Sequence, residues 1–492
     1  MKLSHLKLSL ISLFLWESQV LAQTQALESS SVGMNSQAIP KPTAFEDPLE
    51  VDLDPYQPEP IKNATAQAAG GYRQAQDEVG QGFIQGSALF IDQNERSISD
   101  RRLNWDLGMS SDYSGLIGTS IREDKKFGAH RFNLELGYNG RAFKGDGAGL
   151  EEIYQAANRL ARDFSQYQSP ETTRADAAVR LGDTIRLGTQ SSLAVSGEFR
   201  QDHYQIKDAL DDGSVYEAAA VRWQLGLGRE SSLDSSFRRS VIIYRDHRND
   251  FDQSQDLNEA EVQYLQPIST DYIGGIGYRS LDGEKNGPLV SVTRKPDVRL
   301  QAQGRLSYLI DGDESQTLAS LRSQYLWTRN LRMTLNLEQG IDLLASYGSL
   351  TTNNQTRDRQ QRLNRAYEMD WAYVTRYSTY SLVLISNRQD YADSQFSQQE
   401  GRIQIDYRVN TLDRLISALA FRGVSEKGQV ANPIDRRYGS VSGDWRHYWG
   451  LDSKLFGAKS FMQIGLRFER LWEGEGELER RSLTLALGQE WL

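Results

Sequence analysis

The chain has no cysteine, and only five histidines occur in its 492 residues. Without cysteine it can build neither a disulfide framework nor a thiolate metal site, and it cannot carry a lipoprotein anchor. Long apolar runs are missing too. After the N-terminal segment no stretch approaches the roughly 18 residues of a spanning helix. P-loop, EF-hand, zinc-ligand and serine-hydrolase signatures are absent. No metal and no cofactor is therefore expected. With a net charge of −10 the chain is not expected to take a nucleic-acid partner.

What is present begins at the N-terminus. "MKLSHLKLSLISLFLWESQVLAQ" places Lys2 and Lys7 before an apolar core from Leu8 to Trp16. Val20-Leu21-Ala22 then forms a small-residue cleavage site that leaves Gln23 first, so residues 1–22 read as a secretory signal peptide. Residues 23–81 read as a disordered periplasmic tail. Phe45 to Pro60, "FEDPLEVDLDPYQPEP", holds six acidic residues and four prolines and no base, too little apolar surface to fold alone. "NATAQAAGGYRQAQ" after it predicts a short helix broken at Gly70-Gly71. The tail serves either as a flexible leader or as a docking segment for a periplasmic partner.

From about residue 82 apolar side chains recur at every second position, the signature of strands with one buried face. "LNWDLGM" alternates Leu103, Trp105 and Leu107 with polar residues, and "RFNLELGYN" does so with Phe132, Leu134, Leu136 and Tyr138. "DVRLQAQGRLSYLI", "LRMTLNLEQ", "RIQIDYRV" and "FMQIGLRFERLW" repeat the pattern, although Phe461 and Arg470 break it in the last. Connections such as "TRN" and "KPD" are short, whereas residues 144–171, 207–214, 249–257, 344–364, 392–399 and 426–435 read as longer polar loops. Alternating short turns and long loops are the pattern of a bacterial outer-membrane barrel. Residues 82–492 are thus expected to form an all-β, transmembrane antiparallel β-barrel with an even strand number of about 16–20.

Aromatics near the strand ends fit girdles at two membrane interfaces: Tyr138, Trp223, Tyr244, Tyr272, Trp327, Tyr377, Tyr380, Trp472 and Trp491. The alternating C-terminal "RRSLTLALGQEWL" supplies the strand that closes the barrel. Its Gly488-x-x-Trp491 pattern is of the kind read by barrel-assembly machinery, though the chain stops at Leu492 rather than an aromatic. Loop 144–171 carries Ile153, Ala156, Ala157, Leu160 and Phe164 on one helical face and reads as an external lid or cap.

The face opposite the apolar one carries the functional reading. Arg299, Gln301, Gln303, Arg305, Arg332, Asn336, Arg402, Gln404, Arg408 and Arg467 are expected to line a water-filled lumen. Arginine forks suit carboxylate, sulfate or phosphate, and amides trade hydrogen bonds with sugar hydroxyls. Glu338, Asp406 and Glu469 share these faces, so individual arginines also serve as wall structure. Asp202-His203 and Asp246-His247 fall at external strand ends. Neighbours on a strand point to opposite faces, so neither pair is a catalytic dyad, and no catalytic residue is expected.

"TIRLGTQSSLAVSGEFRQDHY" and "RRSVIIYRDHRND", strands ending in charged clusters, resemble outer-membrane barrels of the beta-barrel porin 2 type, encoded with exopolysaccharide or capsule clusters. The resemblance covers roughly residues 80–492. It implies an outer-membrane channel of a Gram-negative bacterium that secretes exopolysaccharide or capsular polysaccharide, working with a periplasmic polysaccharide-export protein and set in outer-membrane lipid. The alternative is a porin for small hydrophilic molecules, and a third reading is an outer-membrane enzyme or structural barrel.

Overall fold

The computed structural model describes residues 61–491, apart from 76–80, 95, 110–113, 144–149, 152, 155–170, 209, 229–230, 248–250, 295–298, 312–313, 329, 341–362, 391–393, 429–433, 450–457 and 475. The signal peptide, its Ala22–Gln23 junction and tail residues 23–60 lie outside the described residues. So do Ala156, Ala157, Leu160 and Phe164.

Twenty-two antiparallel strands, from β1 (Ile61–Ala75) to β22 (Gly476–Trp491), pair each with the next, and β1 pairs with β22. The protein is a closed transmembrane β-barrel. A tertiary pairing such as Tyr72 opposite Leu485 removes the last open edge, which a sheet in lipid cannot leave unpaired. The strand number is even, as expected, but larger than 16–20. One added strand is β1, whose residues were expected to be tail and short helix. Its Ala64, Ala66, Ala68 and Gly70 alternate with Thr65, Gln67, Ala69 and Gly71, so small residues stand on both faces and the period lacks the large apolar side chains that mark it elsewhere. "LNWDLGMSSDYSGLIGTSI" divides into β3 (Ser97–Met109) and β4 (Ser114–Phe127).

The period-two positions separate as expected. Leu103, Val195, Leu306, Leu419, Val441, Leu466 and Leu485 stand exposed on the outer wall, while Arg73, Gln85, Asp106, Asp234 and Gln463 are buried on the inner one. Among the expected girdle residues Trp223, Tyr272, Trp327, Tyr377 and Tyr380 are outward and exposed, but Tyr244 is buried on the inner face.

The two rims differ. At one, the turn end, a single side chain closes each of several short turns by accepting two backbone N–H groups. Asn94 Oδ1 takes those of Arg96 and Ser97 at 2.9 and 3.0 Å. Thr328, Thr375 and Asn410 act in the same way. These are the local hydrogen bonds that favour such residues in turns. At the other, the loop end, β8 starts at Leu210, β10 at Phe251 and β18 at Ser394. Strand thus replaces much of the loop expected at 207–214, 249–257 and 392–399. The outer face turns polar that far up the wall while the inner one carries apolar residues such as Leu257 and Phe396, which blurs the alternation that identifies a strand.

Closure leaves little room at the seam. A Cβ added to Gly71 would lie 1.8 Å from the Leu485 carbonyl oxygen, whereas one on Gly137 of β5 (His130–Phe143) would meet nothing within 4 Å. Gly71→Val is expected to cut the yield of barrel that resists SDS before heating by several-fold. Gly137→Ala is expected to leave it unchanged, and gel mobility with and without heating measures both.

Candidate functional site in the lumen

The inner wall is a lattice of compensated charges. Arg180 bridges Glu135 and Glu198 at 3.0 Å each, Arg222 meets Asp234 at 2.5 Å, and Arg279 meets Glu259 at 2.7 Å. Arg73 and Asp106, 3.3 Å apart, are both buried. Each pair joins neighbouring or next-neighbouring strands, so an arginine tends to find a carboxylate across the sheet before it finds a solute.

The residues expected to line the lumen fall into three groups. Arg305 pairs with Glu261 at 3.5 Å, Asn336 donates to Glu368 at 3.4 Å, and Arg402 donates to Gln404 at 3.0 Å. Arg299, Arg332 and Arg408 are exposed and lie close to the turn end: Arg299 precedes β13 (Leu300–Asp311), Arg332 is second in β15 (Leu331–Gly340), and Arg408 ends β18 (Ser394–Arg408). Gln301 is exposed and Gln303 half-buried on β13. Arg467 stands apart from all of them, because it holds an inserted segment.

That segment is part of the expected external cap. Leu150, Glu151, Ile153 and Tyr154 have helical backbone, but they lie against the inner wall. The segment connects β5 to β6 (Thr172–Arg186), yet it packs on β18, β19 (Asp413–Gly428), β20 (Asp435–Trp449) and β21 (Ala458–Glu473). Going round through β1 and β22, β21 is six strand steps from β5 and β19 is eight. Leu150, Glu151, Ile153 and Tyr154 therefore dock far round the wall from β5.

Two kinds of contact hold it there. Leu150 and Tyr154 are buried with Phe396, Val424, Ile434, Tyr438 and Leu471, and the Tyr154 and Tyr438 rings are 6.0 Å apart. Burying such side chains contributes roughly 1.5–3 kcal/mol each. Beside them Glu151 accepts a hydrogen bond from Arg422 and lies 3.6 Å from Arg467. Arg467 also pairs with Glu469 at 3.0 Å and donates to the Tyr438 hydroxyl at 2.9 Å. The Tyr438 hydroxyl in turn donates to Glu469 at 2.8 Å. Burial pushes the Glu151 carboxyl up, but the Arg422, Arg467 and Arg141 charges outweigh it and hold the group at about 2.

A signal for this docking exists in the sequence. Val424, Tyr438 and Leu471 are apolar or aromatic at positions whose neighbours on the same inner face are polar, so something other than water must cover them. The histidines read as rim residues also meet. No zinc spacing predicts a metal set, but the sheet brings His203, Asp211 and His247 together at the loop end.

No family model and no curated protein matches this chain, so the resemblance to beta-barrel porin 2 proteins rests on sequence pattern alone. Among solved structures the chain is similar to the siderophore receptor PirA from Acinetobacter baumannii, with 8% identity and a TM-score of 0.44 over 89% of this chain and 81% of that one. BauA, the ferric preacinetobactin receptor from Acinetobacter baumannii, gives 8% identity and 0.48 over 88% and 80%. The ferric citrate transporter FecA gives 10% and 0.42 over 87% and 79%.

A depressed carboxyl stabilises docking above its free value near 4.5 and loses that contribution as pH falls toward 2. Glu151→Gln is expected to weaken docking at neutral pH by about 1–2 kcal/mol, roughly ten-fold, the pair being only partly buried. Since the chain has no cysteine, a spin label at Ile153→Cys can report segment mobility. It should rise at pH 7 in the Gln variant, but only between pH 4.5 and 2 with Glu151 present.

Proposed function

We propose that this chain is an outer-membrane channel for small hydrophilic solutes, with its bore set by the docked Leu150, Glu151, Ile153 and Tyr154. The observation that carries this reading is the Glu151 bridge to Arg422 and Arg467, beside the Leu150 and Tyr154 anchors. A barrel of this strand number encloses a space far wider than wall side chains can fill, so an inserted loop decides what passes. A closed barrel with an apolar outer belt, aromatics at its turn end and an N-terminal export signal supports an outer-membrane location.

The lattice of ion pairs bears on the solute. Compensated arginines present little net positive field, so the wall favours selection by size and hydrogen bonding over strong anion selectivity. Arg299, Arg332 and Arg408, exposed near the turn end, are where an anionic group would find a guanidinium. Among the described residues no feature of the lumen favours a polymer over a small solute, and the secretion reading drawn from sequence pattern gains no support from the docked residues.

Purified protein in planar lipid bilayers tests the proposal. Stepwise ohmic conductance is expected, and Glu151→Gln is expected to raise single-channel current about two-fold or increase its flicker. Absence of conductance from both folded proteins would overturn the channel reading. Equal currents in both would overturn the role of the segment.

A further inference from the structure

At the loop end three side chains that a channel does not require converge on one spot. They come from β7 (Ser191–Ile206), the start of β8 (Leu210–Gly228) and the residue after β9 (Ser231–Asp246). His203 is opposite Gly213, and Gly213 is opposite Arg245. The His247 N–H donates to the Asp211 carbonyl at 2.9 Å. Residues 203, 211 and 247 thereby share one face of the sheet. It is the outer face, above the apolar belt: Val195 and Phe199 give way along β7 to Gln201, His203 and Gln205.

The geometry has the dimensions of a ligand set. His203 Nε2 is 3.5 Å from Asp211 Oδ1, the two imidazole centroids are 5.7 Å apart, and one ligand atom from each residue lies within 4.8 Å of the others. Adjacent ligands around a tetrahedral zinc ion are roughly 3.4 Å apart, given bonds of about 2.0–2.1 Å. One edge is thus already formed, and no two of the ligand atoms are more than 4.8 Å apart, so the exposed His247 ring has only a short way to move. Gly213 leaves the space open, since a Cβ there would lie 3.6 Å from His247 Nε2 and 4.0 Å from His203 Nδ1.

A simple histidine–aspartate hydrogen bond at the rim does not account for the arrangement. Asp211 Oδ1 is buried and accepts no hydrogen bond. By contrast His130 meets Asp183, and His447 meets Asp413, each at 2.8 Å. Those are ordinary pairs. The cluster at 203, 211 and 247 has instead two imidazoles and a carboxylate whose ligand atoms all lie within 4.8 Å of one another.

We propose that His203, Asp211 and His247 bind a divalent transition-metal ion of the zinc class, with the remaining coordination position open to solvent. Two imidazoles with one carboxylate suit Zn²⁺, Ni²⁺ or Cu²⁺, whereas Ca²⁺ and Mg²⁺ prefer oxygen-only shells. The ion ties the outer ends of β7, β8 and β9 together where the wall stands clear of lipid.

The test uses the full folded chain in detergent, without a polyhistidine tag, titrated with ZnCl₂ by calorimetry. One Zn²⁺ per chain is expected. His203→Ala and His247→Ala should each weaken binding at least ten-fold, and Asp211→Asn should weaken it measurably. Titration with Co²⁺ should give the intense visible bands of a low-coordinate site, and these should vanish in His247→Ala. That variant alters an exposed ring, so the barrel is expected to stay SDS-resistant before heating. No stoichiometric binding by the folded chain would overturn the proposal. Binding unchanged in both histidine variants, or lost only on changing His447 or His130, would overturn it as well.

Discussion

A sheet that crosses a bilayer must pair every backbone N–H and C=O within itself, since lipid offers no partner. The rest of this molecule depends on that constraint. It forces β1 and β22 together, and it makes Gly71 pass so close to the Leu485 carbonyl that a side chain has no room. It also fixes which side chains face lipid and which face the lumen, because a one-residue slip would turn a whole strand over.

Once the wall is closed, its two faces solve different problems. The outer face meets lipid with Leu, Val and Phe and with aromatics at the turn end. The inner face must keep arginines and carboxylates in a space where each lone charge is costly, and it does so by pairing them across strands, as Arg180 pairs with both Glu135 and Glu198. Such pairs give the wall rigidity more than net stability. At one apolar stretch of the inner wall, around Tyr438 and Leu471, Leu150 and Tyr154 cover it. Apolar anchors hold the segment's position, and Glu151 between two guanidinium groups makes that hold sensitive to charge.

The legible parts were those with strong contrast between faces. "LRMTLNLEQ" and "RIQIDYRV" alternate so clearly that β15 and the second half of β18 could be placed by period alone. β1 could not, because alanine and glycine occupy both of its faces. The strand ends at 207–214 and 249–257 were hidden for another reason, because their outer face is polar and apolar residues such as Leu257 stand on the inner one. In "FMQIGLRFERLW" the break at Phe461 was a signal rather than noise. Phe461 is buried on the inner wall, with the Arg446 guanidinium 4.3 Å from its ring centre.

By itself the sequence determined a cysteine-free, all-β membrane barrel with an even number of strands and a polar interior, because these follow from composition and from a period of two. Only the tertiary structure decided that there are twenty-two strands, that Leu150, Glu151, Ile153 and Tyr154 pack on the inner wall near the loop end, and that His203, Asp211 and His247 meet. These three depend on which residues face each other across a closed sheet. Strand pairing and chain crossing bring together positions as far apart as 151 and 467, and no local pattern encodes such distances.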